Sequence, residues 1–160
     1  MDRMIEKEIG KRLKERNLTI AIAESCTGGL IAHRITNVPG ASRYFEMGIV
    51  TYSNRSKEKF LSVSHDTLVT KGAVSEDTAR QMAEGIRKVA GVHIGLSVTG
   101  IAGPHGGSIE KPLGTVYIAL SSQDGVFVRG FLFHGKRIEI KRQTSEEALK
   151  LVHDYLTGNL

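Results

Sequence analysis

The sequence has no tryptophan and a single cysteine, and no apolar run in it approaches the roughly 20 residues that a membrane span requires. One cysteine, Cys26, excludes an internal disulfide and any multi-cysteine zinc site. It also suits a reducing compartment, so a cytoplasmic location is expected. Aromatic residues are scarce as well: Phe and Tyr total nine, and no basic stripe is interleaved with them. The net charge of +5 arises from 22 Lys and Arg against 17 Asp and Glu spread along the chain, densest at 136–142 (KRIEIKR). Such a mild excess fits a phosphorylated small molecule and argues against a nucleic-acid partner. No metal-ligand spacing appears, and neither a metal nor a cofactor is expected. Residues 1–16 alternate charge (Asp2, Arg3, Glu6, Lys7, Glu8, Lys11) around Met4, Ile5, Ile9 and Leu13. That pattern is an amphipathic helix and not a signal peptide.

What the chain does have is an apolar segment, LTIAIAESCTGGLI (18–31), interrupted by a polar, glycine-rich hexapeptide. Leu18, Ile20 and Ile22 alternate with Thr19, Ala21 and Ala23, which suits a strand buried on both faces. Leu30, Ile31 and Ile35 supply the apolar side of a following helix over about 27–36, with Ser25 or Thr27 able to cap it. A strand that enters a helix through such a turn points N–H groups at the positive end of the helix dipole, so an anion site is expected there.

The rest of the chain reads as alternating elements. Helix one covers about 2–16 and stops near Asn17. A strand at about 45–52 ends in Thr51-Tyr52-Ser53-Asn54, and Ser53 or Asn54 caps a short helix carrying Lys57, Phe60 and Leu61. A helical turn and loop follow at 64–74. Ser75 caps a helix over about 76–90, with Glu76 and Asp77 in its first turn and Arg87 and Lys88 in its last, as the dipole favours. Strands at about 92–98 and 114–121 flank a second glycine-rich stretch, Thr99 to Gly107. Gln123-Asp124-Gly125 marks a hairpin into a strand at about 126–134. A helix over about 136–156 closes the chain. At this length one domain spanning 1–160 is expected, burying about 70% of the unfolded chain's surface. The order of elements predicts a three-layer α/β/α sandwich with a mixed, mostly parallel sheet. Three glycine- or hydroxyl-rich segments then fall at strand ends, where open α/β sheets bind ligands, and one shared pocket is expected.

Position alone leaves Ser25 open between a helix cap and a nucleophile. A nucleophile needs a base, and no Ser-His-Asp pattern is evident. His33, His65, His93, His105, His134 and His153 all read as ordinary surface or satisfied histidines. Lysine is the other base known for serine, and Lys57, which follows a strand end, reads from spacing either as that base or as a solvated helix lysine. To act near pH 7 it would have to lose about three units from a free pKa near 10.4, which burial can supply. Tyr52 reads either as a partner of that lysine or as a strand-end tyrosine with an exposed hydroxyl. Cys26 rivals Ser25 as nucleophile but reads better as a buried free thiol. The 99–107 loop lacks the P-loop ending and the dinucleotide fingerprint. It stands between an anion or ribose cradle made of N–H groups and a long surface turn. Arg137, Lys141 and Arg142 on the last helix read either as residues that reach a phosphate or as solvated helix charge.

AESCTGGLIAHRITNVPGAS (23–42), GIVTYSNRSKEKFL (48–61), GAVSEDTARQMAEG (72–85), SVTGIAGPHGG (97–107) and KPLGTVYIAL (111–120) together resemble the CinA C-terminal domain family, in its order and spacing. Members of that family include bacterial nicotinamide-nucleotide amidases. The resemblance implies an α/β/α fold and metal-free, cofactor-free hydrolysis of the carboxamide of nicotinamide mononucleotide to nicotinate mononucleotide and ammonia. It implies Ser25 as nucleophile, Lys57 as base and Tyr52 as their assistant, with N–H groups near Thr27 and Gly28 as the oxyanion hole and Gly29 beside them binding substrate. Thr99, Gly100 and Gly103, with Thr115 and Arg142, would hold ribose and phosphate. Many relatives carry this domain behind a larger one, and the chain reads as the stand-alone form. The expected partner is a small nucleotide in a homodimer or higher homo-oligomer; the alternative is a non-catalytic nucleotide-binding or regulatory module.

Overall fold

The computed structural model describes the backbone from Arg3 and the side chains from Ile5 through Leu160, so Asp2 and the Arg3 and Met4 side chains of the first amphipathic stripe lie outside the described residues. Six helices and five strands follow in the order α1 (Arg3–Glu15), β1 (Ile20–Glu24), α2 (Leu30–Thr36), β2 (Phe45–Val50), α3 (Asn54–Leu61), α4 (His65–Thr70), α5 (Glu76–Ala90), β3 (Ile94–Gly100), β4 (Thr115–Ser122), β5 (Gly125–Leu132) and α6 (Arg137–Leu156). Helix α1 stops where Asn17 turns into the left-handed region at φ 54°, a conformation asparagine tolerates better than most residues. Ser53, Ser64 and Ser75 each accept a backbone N–H at the start of α3, α4 and α5, which satisfies donors that the helix leaves open.

The strands form one sheet in the order β2-β1-β3-β4-β5. Strand β1 pairs in parallel with β2 and β3, β3 pairs antiparallel with β4, and β4 antiparallel with β5. Four strands therefore run one way and β4 alone opposes them. Helices α1, α2 and α6 cover one face, while α5, flanked by α3 and α4, covers the other. The alternation in β1 explains how both faces close. Ile20 and Ile22 join Ile9, Leu13, Ile31 and Val152 in the larger core, while Ala21 and Ala23 meet Leu61, Met82 and Ile86 beneath α3 and α5. Small residues are needed on that second side because α5 lies close to the sheet. A side chain at Gly95 would run into the Ala83 carbonyl.

Strand β3 begins two residues later than its hydrophobic pattern predicts and extends to Gly100. Its register is set by pairing from Ile20↔Ile94 to Glu24↔Val98 on one side and by Gly100↔Val116 on the other. The parallel strands β2, β1 and β3 consequently end side by side at one edge of the sheet. The residues just beyond those ends are Thr51-Tyr52, Ser25-Cys26 and Ile101-Ala102.

Candidate functional site

Beyond β1 the chain does not enter α2 directly. Glu24, its last residue, is almost wholly buried. Its carboxylate accepts hydrogen bonds from the Thr27 hydroxyl (2.5 Å) and from the N–H groups of Gly29 (3.2 Å), Ile31 (3.0 Å) and Ala32 (3.0 Å). Helix α2 therefore starts at Leu30, with Gly29 at its cap (φ 108°) and no hydrogen bond from a capping side chain at that position. This corrects the sequence reading in two respects. Neither Ser25 nor Thr27 caps α2, and its N-terminus is not an open anion site, because a carboxylate from the preceding strand already sits on it.

That arrangement leaves Ser25 free of a capping role. Its N–H donates to the Val98 carbonyl (3.2 Å), which ties the residue to β3, and its carbonyl accepts from Gly28 N–H (3.1 Å). Gly28 and Gly29 thus have their N–H groups committed within the turn. The N–H groups of Cys26 and Thr27 donate to no other residue among those described, the Cys26 N–H facing its own thiol, so the donors beside Ser25 lie one residue earlier than the sequence implies. A side chain at Gly100 would press within 2.6 Å of Val116 and 3.2 Å of Cys26 Sγ, so glycine keeps the end of β3 against this turn.

Lys57 comes from the first turn of α3, with the Ser53–Ser56 capping box holding the start of that helix. It is 1% exposed. Its Nζ lies 3.1 Å from Ser25 Oγ and 2.7 Å from the Thr51 carbonyl. Burial lowers its pKa from the usual 10.5 to about 8, and the helix N-terminus works in the same direction. Burial pushes the Cys26 thiol up to about 12, with Glu24 adding to the effect, so the thiol stays protonated and is a poor nucleophile. A hydroxyl, a buried amine of lowered basicity and two backbone N–H groups meet in one place, the set of groups that an activated serine nucleophile requires.

The pair opens into a cleft of about 160 Å³. Ser25 and Cys26 form its floor, Tyr52 and Lys57 one wall, Ala73 and Val74 another, and Thr99 and Gly100 the end of β3. Thr99 Oγ1 donates to the Ala73 carbonyl (2.8 Å) and so holds the 72–75 turn in place. Arg137, from the first turn of α6, closes the remaining side. Its Nη1 donates to the Gly103 carbonyl (2.7 Å) and its Nη2 to the Tyr52 hydroxyl (2.8 Å). A roomier depression of about 480 Å³ lies away from this edge, lined by Glu6, Arg34 and Pro39 among others. It has no serine, threonine or cysteine among its described lining residues.

The family model of the CinA C-terminal domain matches residues 2–156. The chain belongs to the CinA C-terminal domain family. It is 53% identical over 148 residues to a CinA-like protein of Geobacter sulfurreducens, covering 92% of this chain and 36% of that one. It is 49% identical over 152 residues to a CinA-like protein of Syntrophotalea carbinolica, covering 95% and 37%. The chain thus spans little more than a third of the length of the curated relatives it matches. The crystal structure of the competence/damage inducible protein CihA from Agrobacterium tumefaciens superposes with a TM-score of 0.94 at 39% identity, covering 98% of this chain and 95% of that one.

Within this CinA domain the residues singled out from sequence fall into three groups. Ser25, Lys57, Tyr52, Thr99 and Gly100 come together around the cleft. Thr27, Gly28, Gly29 and Gly103 do not line it and make supporting bonds: Thr27 and Gly29 bind Glu24, Gly28 binds Ser25, and Gly103 offers its carbonyl to Arg137. Thr115 and Arg142 are not brought to the cleft. The Thr115 hydroxyl donates to the Pro112 carbonyl (2.6 Å) at the base of the glycine loop. Arg142 faces a separate groove with Leu30 and Glu146. Tyr52 bonds to Arg137 and not to Lys57, and it is 60% exposed. The sequence reading missed Glu24 and gave Arg137 no part at Tyr52. The only signal for Glu24 was a carboxylate in an otherwise apolar strand end.

Among the described residues no helix is long and apolar enough to cross a membrane.

Proposed function

We propose that this chain is a cytoplasmic hydrolase of the carboxamide of nicotinamide mononucleotide, releasing nicotinate mononucleotide and ammonia, with Ser25 as nucleophile and Lys57 as general base. The observation that carries the reading is the 3.1 Å approach of a buried Lys57 amine to Ser25 Oγ. Membership of the CinA family, whose resemblance includes nicotinamide-nucleotide amidases, supports the choice of substrate.

The chemistry follows from the hydrogen bonds. The charged amine donates to both the Thr51 carbonyl and Ser25 Oγ; once neutral, it keeps the N–H bond to Thr51 and offers its lone pair to the Ser25 hydroxyl. Ser25 Oγ attacks the amide carbon as Lys57 takes the hydroxyl proton, and the oxyanion accepts from the N–H groups of Cys26 and Thr27. Each such donor contributes roughly 3 to 4 kcal/mol of transition-state stabilisation in other enzymes. Lys57 returns the proton to the departing ammonia. A water molecule, deprotonated by the same amine, then cleaves the acyl-enzyme and restores Ser25. A pKa of about 8 leaves roughly one amine in ten neutral at pH 7, against about one in three thousand at 10.5. The cleft is smaller than the 300 Å³ or more typical of sites that enclose a whole ligand. It admits the amide end, while ribose and phosphate lie at the mouth, where a neighbouring copy in a homo-oligomer completes the enclosure.

Ammonia release from nicotinamide mononucleotide by the purified protein is the direct assay. Ser25→Ala and Lys57→Ala are each expected to lose about a thousandfold or more in kcat. Full activity in both would overturn the mechanism. Saturable nucleotide binding without any turnover would point instead to a non-catalytic nucleotide-binding module.

A further inference from the structure

The sequence offers Arg137, Lys141 and Arg142 for a substrate phosphate, and Lys136 adds a fourth basic residue at the start of α6. The structure separates them. Arg137 has both terminal nitrogens engaged, by the Gly103 carbonyl and the Tyr52 hydroxyl. Arg142 faces the groove beside Leu30 and Glu146. Lys136 is exposed at the cap of α6. Lys141 differs from all three. It is half-buried and has no hydrogen-bond or ion-pair partner among the described residues. Its Nζ lies 3.6 Å from where a side chain on Gly28 would begin, so it lies over the turn that carries Ser25. It is also close enough to Cys26 to act on it electrostatically.

Arg137 and Lys141 are four residues apart and share one face of α6, separated by about 6 Å along the helix axis. Arg137 lines the cleft, and Lys141 lies just outside that lining, one turn further along the same side of α6 and beside Gly28, a step that a pentose bridges. The anion it would meet cannot use the N-terminus of α2, since Glu24 already binds those N–H groups. A dianionic group beside Ser25 therefore finds its uncommitted positive charge at Lys141.

We infer that Lys141 receives the phosphate monoester of a nucleotide whose carboxamide lies at Ser25, an assignment that rests on the amidase reading above. It makes Lys141 the residue that distinguishes a nucleotide from the corresponding nucleoside. A charge-assisted hydrogen bond to phosphate at a partly buried site changes affinity by about 10- to 100-fold.

The test compares kcat/KM for nicotinamide mononucleotide and nicotinamide riboside in wild type, Lys141→Gln and Lys141→Arg. Wild type is expected to favour the mononucleotide by about 10- to 100-fold. Lys141→Gln should bring that preference to within about threefold of unity through a rise in KM for the mononucleotide, and Lys141→Arg should keep most of it. An undiminished preference in Lys141→Gln overturns the assignment and leaves the amidase reading standing. If wild type turns over neither compound, the amidase reading fails by itself. Calorimetric binding of nicotinate mononucleotide then decides on Lys141: weakening of about 10- to 100-fold in Lys141→Gln supports it, and equal binding overturns it.

Discussion

Replacing Lys57 by methionine keeps the buried stem and removes the amine, and its effect on stability should depend on pH in a way the structure specifies. Lys57 is 1% exposed, so its lowered pKa reports an almost fully desolvated group. The fall from 10.5 to about 8 corresponds to about 3 kcal/mol at about 1.4 kcal/mol per pH unit. Because the folded-state pKa is the lower one, the unfolded chain holds more protons between the two values. Below pH 8 both states carry the charge and folding bears the full penalty. As pH rises from 8 to 10.5 the folded state loses its proton first and the penalty disappears. The variant escapes that penalty but gives up the contacts with Ser25 Oγ and the Thr51 carbonyl, worth about 1 kcal/mol each, and more where the acceptor is left unsatisfied. At pH 7 the two effects nearly offset, and the proteins should agree within about 2 kcal/mol. By pH 10.5 wild type should have gained about 3 kcal/mol relative to the variant. Urea denaturation of both proteins at half-unit intervals from pH 7 to 10.5 measures the difference, and the other titrating groups cancel. A difference that stays flat across this range would refute the claim that burial holds the amine at lowered basicity.

Other consequences are more direct. If neutral Lys57 is the base, kcat/KM should rise about tenfold per pH unit below 8 and level off above it; a profile governed by a group near 6 would exclude it. Glu24→Gln exchanges an acceptor for an amide donor facing N–H groups. It should destabilise the fold by about 2 to 4 kcal/mol and lower kcat, measured by thermal melting and turnover. Cys26, with its thiol held up to about 12, should react with iodoacetamide at pH 8 at least ten times more slowly than a free thiol, as mass spectrometry would show. Rapid labelling of the folded protein would contradict its burial.

The main elements could be read along the chain because their signals are local. Capping serines at 53 and 75, the stop at Asn17 and the Asp-Gly hairpin each act through bonds a few residues long. The two-faced alternation in β1 foretold burial on both sides, and both faces of Ile20–Glu24 are buried. Boundaries set by pairing were less legible. The start of β3 depends on its neighbours in the sheet, and the start of α2 depends on Glu24, whose contacts reach up to eight residues ahead.

The approach of Lys57 to Ser25 crosses 32 positions, and that of Arg137 to Tyr52 crosses 85. No periodicity encodes either distance. The sequence by itself determined the class of fold, the burial of Cys26 and the residue types from which a nucleophile and base could be drawn, since these depend on composition and short-range pattern. Only the tertiary structure decided which basic residues of α6 reach the cleft, that Tyr52 faces Arg137, and that a strand carboxylate occupies the helix N-terminus. Those outcomes depend on where separate strands end in a common sheet, and a chain reveals that only when the sheet has been assembled.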